Sequence, residues 1–384
     1  MKQAWLKLNL AVAATTFAVA AMAQSSAIKI GVNQPLTGVV AASGNFVTNG
    51  AKIAADELNA KGGVLGSKVE LVIEDSKSNP TEAANAAEKL IVRDKVPVIM
   101  GAWSSTYTLA VMPKLMEYQV PMLVETSSAD KITQLGNPFV FRISPTSGME
   151  AVSFARHVAP LKIRKADFLV VNNDWGRGAA EAFGGMLKQQ NAAVGRVELM
   201  DAGAQDMSAQ LSRIKASDGD TLFVTTAVEQ LTLVLKQAQA LGLKRQIITT
   251  GGSQNPDQLI AQAGTAANGS IHSVMFAPWF PDTMANPALT RTFITEWTKR
   301  GFDPAGMTEG SRGYDGIMTI AAAITKAGAP DAAKIREALW GVQLTGLTGK
   351  IAFEKVGQAG KESAQSTPQV SLVRIEGGKI ALVK

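Results

Sequence analysis

Short hydroxyl side chains gather in two loops, and loops of this composition can bind a carboxylate. Ser105 lies in the first loop, and Thr126, Ser127 and Ser128 form the second. Hydroxyl groups and free backbone N–H groups at a helix N-terminus are donors that suit an anion. An alternative is that Ser105 and Ser128 only cap the helices that follow them. Because the two loops follow neighbouring predicted strands, we favour a shared polar pocket.

Three aromatic residues accompany these loops and suit the apolar part of a solute. Trp103 and Tyr107 belong to the first loop, and Trp175 stands between Asp174 and Gly176 just after another predicted strand. An aromatic ring on a strand-end loop can pack against an apolar surface. Core packing is the alternative, but Trp175 lies on neither a helical nor a strand core stripe. We therefore expect Trp175 to face the cleft.

Groups for bond-breaking chemistry are few. The sequence has no cysteine, which removes thiol nucleophiles and thiolate metal sites. His157 and His272 have no metal-ligand neighbour three or four positions away, and Ile351 follows 346–350 where a phosphate loop needs Ser or Thr. Neither G-x-G-x-x-G after the first strand nor G-x-S-x-G is present. We expect no catalytic residue, no metal and no cofactor, although a mechanism built on carboxylates alone stays open.

The elements that must position these loops alternate between strand and helix. The first series predicts strands and helices in turn at Ile28–Asn33, Asn45–Lys61, Val69–Glu74, Pro80–Asp94, Val98–Gly101, Ser105–Tyr118 and Met122–Val124. The second series begins near Ser144 and continues with Phe168–Asn172, Gly178–Gln190, Val197–Met200, Met207–Lys215, Leu222–Thr225, Glu229–Leu241 and Gln246–Thr250. Such alternation predicts an α/β protein of two doubly wound parallel-sheet lobes.

The end of the chain departs from this alternation. Three predicted helices come first, and then a Gly/Thr-rich stretch leads to two strand-like runs. The helices are Pro287–Arg300, Gly313–Lys326 and Asp331–Trp340, and the strand-like runs are Ser371–Ile375 and Ile380–Val383.

The N-terminus has the pattern of a secretory signal peptide over residues 1–23. Lys2 and Lys7 are its only charges, an apolar stretch runs from about Leu8 to Ala20, and 21–23 reads Ala-Met-Ala, a small-x-small cleavage pattern. A transmembrane anchor is the alternative, but the apolar stretch falls short of the about 20 residues that a span needs. We expect cleavage after Ala23 and a periplasmic location.

Composition and charge restrict the partners. The chain has 384 residues, 46% of them hydrophobic and 18% charged, which is typical of a globular protein with more than one domain. The net charge of +6 falls to +4 when Lys2 and Lys7 leave with the signal peptide. Acidic and basic residues are mixed, so nucleic acid is not expected as a partner. We expect a monomer.

At these residues the chain resembles the periplasmic solute-binding proteins of ABC importers, specifically the branched-chain (hydrophobic) amino acid group. The resemblance implies the type I periplasmic binding protein fold, an amino acid or small carboxylate as ligand, and an inner-membrane ABC permease as partner. A sensory module that reports a solute to a membrane receptor has the same residues and stays open. The resemblance is carried by 28–44, 59–80, 98–113, 121–133, 172–178 and 233–243.

The resemblance also implies three chain crossings between the lobes. We place them near Ile143–Ser144, Met275–Phe276 and Thr345–Gly346. Lobe I then comprises 24–143 and 276–345, and lobe II comprises 144–275 and 346–384.

Within that family, the ligand carboxylate binds residues that map to Ser105 and to Thr126, Ser127 and Ser128, and a second-lobe tyrosine maps to Trp175. At three further positions this chain differs from the family. The family's first-loop tyrosine falls at Ser43, a second-lobe tyrosine falls at Thr226–Ala227, and the acid that pairs with the ligand ammonium falls near Gly252.

An unpaired buried ammonium costs several kcal/mol. Either Glu125 or Asp315 supplies the missing charge, or the ligand is an aromatic or aliphatic carboxylate without an amino group. We favour a structural role for each of these two acids.

Overall fold

The computed structural model describes residues 27–251 and 254–383, so the predicted signal peptide and its cleavage site lie outside the described residues. Sixteen strands occur in this part of the chain: β1 Ile28–Gln34, β2 Val69–Asp75, β3 Ile99–Gly101, β4 Met122–Val124, β5 Val140–Arg142, β6 Lys165–Val171, β7 Ala193–Met200, β8 Thr221–Thr225, β9 Gln246–Thr249, β10 Ile271–Val274, β11 Gln343–Thr345, β12 Lys350–Ala352, β13 Glu354–Val356, β14 Ser363–Gln365, β15 Ser371–Glu376 and β16 Lys379–Leu382.

Twelve α-helices lie between them over the same described residues: α1 Ala41–Ala60, α2 Pro80–Glu88, α3 Ser105–Tyr118, α4 Lys131–Gln134, α5 Ser147–Phe154, α6 Asp174–Gln189, α7 Ser208–Lys215, α8 Val228–Ala240, α9 Pro256–Ala263, α10 Pro287–Lys299, α11 Met307–Ala327 and α12 Ala332–Leu339. None of these helices is long and apolar enough to cross a membrane.

The strands form two seven-stranded sheets and one small hairpin. The first sheet has the order β13-β14-β5-β4-β3-β1-β2, and the second has the order β16-β15-β10-β9-β8-β6-β7. Six neighbouring strands of the first sheet, from β14 to β2, and five of the second, from β10 to β7, are parallel, as the alternation of strands and helices predicts for most of them. In both sheets the strand order reverses beside the first strand of the series, between β1 and β3 and between β6 and β8. Crevices at the carboxyl ends of such strands are where open α/β sheets bind ligands.

Apolar side chains bury both faces of each sheet, which explains why the strands are hydrophobic runs rather than alternating patterns. In β4, for example, the three consecutive residues Met122, Leu123 and Val124 are all buried. Helices cover the two faces of the first sheet with two separate apolar clusters, and the second sheet has two more. The predicted fold class, two doubly wound α/β lobes, is therefore confirmed.

The third chain crossing lies later than the predicted Thr345–Gly346. Strand β14 pairs in parallel with β5, and β13 pairs with β14, so residues through Gln365 belong to the first sheet and not to lobe II. The buried Arg142 guanidinium donates to Gln365 Oε1 at 2.6 Å and helps to fix this pairing. The chain enters the second sheet only at β15. Strands of three residues with partners more than 200 positions away leave no local pattern in a sequence.

Helices α6 and α11 begin before the glycines at which the predictions start them. The predictions Gly178–Gln190 and Gly313–Lys326 treat glycine as a boundary, whereas α6 begins at Asp174 and α11 begins at Met307. A Cβ on Gly176 would lie 2.0 Å from the carbonyl oxygen of Val171. Glycine therefore allows the backbone to approach closely at this point, and it does not end the helix.

The two lobes touch each other beside the cleft. Asp174, at the start of α6 in the second lobe, accepts a hydrogen bond from Thr106 Oγ1 at 3.0 Å and forms an ion pair with Lys131. Both partners belong to the first lobe. Trp279 adds a contact near the second crossing, where its Nε1 donates to Asp257 at 2.8 Å. The loops at the carboxyl ends of the two sheets therefore face one another.

Candidate functional site

The loops at the two points where the strand order reverses, one in each sheet, meet at one cavity between the lobes. This large cavity has a volume of about 730 Å³. The first lobe contributes Val39 and Val40 from the loop after β1, and Trp103 from the loop after β3. The second lobe contributes Trp175 after β6 and Ala227 after β8. Its position agrees with the general rule for open α/β sheets.

A second and much smaller cavity adjoins the first. It has a volume of about 10 Å³, which suits one water-sized group. The two cavities share Trp103, Ser104 and Trp175, so the small cavity opens beside the indole rings. The structure thus brings both hydroxyl loops together with Trp175 around the small cavity, which is lined by Trp103, Ser104, Ser105, Thr126, Ser127, Ser128, Trp175 and Gly251.

The hydroxyl groups tie the two loops to each other. Ser105 Oγ accepts a hydrogen bond from the backbone N–H of Ala129 at 3.0 Å, and Ser127 Oγ donates to the carbonyl oxygen of Trp103 at 3.0 Å. Helix α3 has no side-chain cap from Ser104. Ser105 does not cap α3 either, because its oxygen accepts from the neighbouring loop, and no acceptor for its hydroxyl is found among the described residues.

Arg142 holds the second hydroxyl loop, residues 126–128, by hydrogen bonds. This buried guanidinium donates to the carbonyl oxygens of Ser127 at 3.2 Å and Ala129 at 2.8 Å, and to Thr133 Oγ1 at 2.6 Å. Burial lowers the pKa of Arg142 to about 9. With the carbonyl groups turned towards the guanidinium, the loop is fixed in one conformation beside the small cavity.

The two indole groups provide donors at the site. Trp103 and Trp175 are 6% and 7% exposed, and neither Nε1 has an acceptor among the described residues. A buried donor without a partner costs about 1–3 kcal/mol, so an acceptor on a ligand is stabilised here. The sequence predicts only ring packing for these residues. The structure adds that each ring carries a buried N–H without an acceptor among the described residues.

Gly251 leaves room for Trp175. A Cβ at this position would lie 2.2 Å from Cζ2 of the indole, so any larger residue would displace the ring. Glu150 on α5 holds the Gly251 loop, because its carboxylate accepts from the Gly251 N–H at 2.8 Å. Burial raises the pKa of Glu150 to about 7.

The other predicted site residues have different positions. Tyr107 and Ala227 line the large cavity, and burial raises the pKa of Tyr107 to about 12. Ser43 lies inside α1 and is fully buried, and it is not among the residues that line either cavity. Gly252 falls outside the described residues.

Neither predicted acidic partner, Glu125 or Asp315, is among the residues that line these two cavities. Asp315 accepts from the backbone N–H groups of Leu347 and Thr348, each at 2.8 Å, and from the Thr348 hydroxyl at 2.7 Å. Glu125 accepts from Gln34 Nε2 at 2.7 Å, and burial raises its pKa to about 7. Asp315 is a structural residue that holds the loop between β11 and β12.

Sequence reasoning missed Glu229, the acid that does line the large cavity. It occupies the first turn of α8, two residues beyond Ala227, where the family resemblance implies an aromatic side chain. The signal available was its place at the start of the predicted helix Glu229–Leu241, which follows the predicted strand Leu222–Thr225. Among the described residues, no group of three or more His, Asp and Glu side chains is arranged to hold a metal ion.

Replacing Glu125 with glutamine is expected to change how stability depends on pH. An acid whose pKa is higher in the folded than in the unfolded state stabilises the fold at low pH, and this stabilisation is lost as the pH rises towards the folded pKa. For Glu125 that window runs from 4.5 to about 7. Within this window, each pH unit lowers the unfolding free energy of the wild type by roughly 1.4 kcal/mol relative to that of Glu125→Gln.

Chemical denaturation of wild type and Glu125→Gln from pH 4.5 to 8 measures this difference directly. The gap in unfolding free energy should widen up to about pH 7. Glu117→Gln, at an exposed position on α3, is the matched control and should show no such trend. A gap that is the same at every pH would contradict the assigned pKa of Glu125.

Comparison with known proteins agrees with this architecture. The profile of the family described as "Periplasmic binding protein" matches residues 27–379. The Leu/Ile/Val-binding protein BraC3 of Rhizobium johnstonii is 31% identical over 359 residues, which cover 92% of this chain and 93% of that protein.

Two solved structures illustrate the likeness in fold. A leucine binding protein, LivK, of Thermotoga maritima has a TM-score of 0.81 and 29% identity, covering 93% of this chain and 98% of its own. A solute binding protein of an ABC transporter from Rhodopseudomonas palustris, solved with 3,4-dihydroxybenzoic acid, has a TM-score of 0.79 at 24% identity. Its match covers 91% of this chain and 93% of that one.

Proposed function

This chain belongs to the periplasmic binding protein family, and we propose that it captures a carboxylate-bearing solute between its two lobes and delivers it to an inner-membrane ABC permease. The family binds solutes and does not transform them, so the chain is not an enzyme. The periplasm is the compartment of this family. The proposed cleavage after Ala23 is consistent with export.

The observation that carries the proposal is that the two hydroxyl loops and two indole rings meet around the small cavity. Ser105 and the 126–128 loop approach from the first lobe, and the Trp175 indole approaches from the second. The N–H groups of Trp103 and Trp175 have no acceptor among the described residues. A carboxylate is an acceptor-only group when ionised, and one of its oxygens would fit the small cavity with the rest of the solute in the adjoining large cavity.

The relatives support a small apolar acid or amino acid as the solute. BraC3 is named for leucine, isoleucine and valine, and LivK for leucine. In this chain the apolar lining of Val39, Val40 and Leu233 suits a hydrocarbon or aromatic body beside the two indoles. We propose a branched-chain or hydrophobic amino acid, or a related acid, without fixing the side chain.

Binding to both lobes implies hinge closure, because a solute that contacts two lobes stabilises the state in which they meet. The test is a thermal-shift screen of the mature protein against amino acids, amides, and aliphatic and aromatic acids, followed by calorimetry on the hits. A tight ligand raises the melting temperature by mass action. We expect acids to raise it and the matching primary amides to have little effect. Equal shifts from acids and amides would refute a carboxylate site.

Delivery to a permease is tested in cells. Deleting the gene should abolish uptake of the identified solute at low concentration, and the complementing gene should restore it. Unchanged uptake with loss of a cellular response to the solute would indicate a sensory module instead.

A further inference from the structure

The first turns of helices α3 and α6 meet across the cleft at Asp174. The carboxylate of this residue accepts a hydrogen bond from Thr106 Oγ1 at 3.0 Å and forms an ion pair with Lys131. The backbone N–H of Asp174 also donates to Thr106 Oγ1, at 3.4 Å. Asp174 begins α6 in the second lobe, whereas Thr106 and Lys131 belong to α3 and α4 of the first. Three interactions therefore join the two lobes at one residue.

These contacts lie outside the two cavities but directly beside the residues of the candidate site. Neither Asp174 nor its two partners are among the residues that line the large or the small cavity. Thr106 follows Ser105 in the chain, and Asp174 precedes Trp175. Ser105 and Trp175 both line the small cavity, one from each lobe. The bonds between Thr106 and Asp174 therefore hold the two sides of the small cavity together from outside it.

The Asp174 carboxylate is ionised in this setting. Partial burial raises the pKa of Asp174, but hydrogen bonds from Lys131 and Thr106 outweigh this effect and hold the pKa below its ordinary value. A negative charge is also stabilised by the N-terminal ends of α3 and α6, which both lie here. The side chains of Asp174 and Lys131 are 30% and 47% exposed, so the ion pair alone contributes little. The hydrogen bond from Thr106 to a charged acceptor contributes more.

We propose that Asp174 is a positioning residue that latches the two lobes in the closed state and thereby sets how long a solute stays bound. The inference rests on the proposed function, because it takes solute capture to require closure of the lobes. The contacts of Asp174 with Thr106 and Lys131 exist only while the lobes meet. Removing them lowers the fraction of the protein in the binding-competent state, and the apparent affinity falls with that fraction.

Calorimetry and stopped-flow kinetics test the inference. The probes are L-leucine, L-isoleucine, benzoate and 4-hydroxybenzoate, together with any acid that raises the melting temperature in the screen above. For each probe that the wild type binds, we expect Asp174→Ala to raise Kd about 10-fold, equivalent to about 1.4 kcal/mol. The change should lie in the dissociation rate, with the association rate within about twofold of the wild type, because the lobes open before the solute leaves.

Substitutions on the other side of the cleft keep the test independent of the folding of any one variant. Thr106→Val should act like Asp174→Ala, and Lys131→Gln should have a smaller effect in the same direction. The double variant of Thr106→Val and Asp174→Ala should bind within about twofold of the weaker single variant, because both substitutions remove the same contact. Asp218→Ala is the matched control: it removes an exposed ion pair with Lys165 that lies within the second lobe, and it should bind like the wild type.

An unchanged dissociation rate in Asp174→Ala would overturn the inference and leave the proposed function standing. So would an equal loss of affinity in Asp218→Ala, which would indicate a general effect of charge. Losses that multiply in the double variant would also overturn it, because they would show that Thr106 and Asp174 act independently. If the wild type binds no acid, the proposed function fails, and this inference fails with it.

Discussion

Replacing Ser105 and Ser128 together with alanine is expected to weaken carboxylate binding by about 2–4 kcal/mol, or roughly 30-fold to nearly 1,000-fold in Kd. Both residues line the small cavity, together with Trp103 and Trp175. Hydrogen bonds to a charged group contribute more than neutral ones, and an acceptor left without donors in a buried cavity pays its full desolvation cost. The loss should appear mainly in the dissociation rate.

The single variants should differ from each other. Ser105 Oγ also accepts from the backbone N–H of Ala129, so Ser105→Ala leaves a buried donor without an acceptor. We therefore expect Ser105→Ala to lower the melting temperature as well as the affinity, and Ser128→Ala to lower mainly the affinity. Ser212→Ala, at an exposed position on α7, is the control for both measurements. Unchanged affinity in the double variant by calorimetry would refute the site assignment.

The parts of the fold that the sequence predicts correctly are those with local patterns. Helix α3 and strand β4 begin and end where predicted, at Ser105–Tyr118 and Met122–Val124. Their apolar runs and boundaries are contained within a few residues of chain. The same holds for the order of strands and helices in each lobe, because each strand and its following helix form one local unit.

Long-range pairing is what the sequence does not encode locally. β14 has three residues, and its partner β5 lies more than 200 positions away. The interior glycines of α11 are similar: Gly313 is read as a helix boundary when the neighbouring helix is unknown. Only the packed structure shows that such a glycine is there because another backbone is close.

For the candidate site, the sequence predicts which residues lie close together but not how they are hydrogen-bonded. The sequence suggests that the two hydroxyl loops and Trp175 meet, because strand-end loops of parallel sheets share one edge. It does not show that the indole N–H groups have no acceptor or that Asp315 is occupied by the 347–348 backbone. Each of these statements depends on the orientation of single polar atoms, which propensity and periodicity do not fix.

The largest effect on stability is expected for Gly313→Ala. Helices α1 and α11 pack so closely that a Cβ on Gly313 would lie 1.9 Å from the carbonyl oxygen of Val47, and one on Gly50 would lie 1.8 Å from that of Gly310. Both obstacles are backbone atoms, which cannot rotate away as a side chain can. The helices would have to separate, and overpacking of a rigid core typically costs about 1–3 kcal/mol or more.

Gly185→Ala is the matched control, because Gly185 is a helical glycine on α6 and a Cβ added to it would have no neighbouring atom within 4 Å. At an open helical site alanine stabilises by about 0.4–1 kcal/mol, so the two substitutions should move the melting temperature in opposite directions. Equal shifts would contradict the close packing of α1 against α11 as the cause.

The effect of Gly313→Ala should extend to binding. α1 follows the Val39–Val40 segment of the large cavity, and Arg312 and Glu309 lie on α11 beside Gly313. Separation of the two helices would therefore move one wall of the cleft relative to the hydroxyl loops. Calorimetry on Gly313→Ala below its melting temperature should show weaker binding of the same solute that Gly185→Ala binds normally. Wild-type affinity in a destabilised Gly313→Ala protein would mean that this helix pair supports the fold but does not position the site.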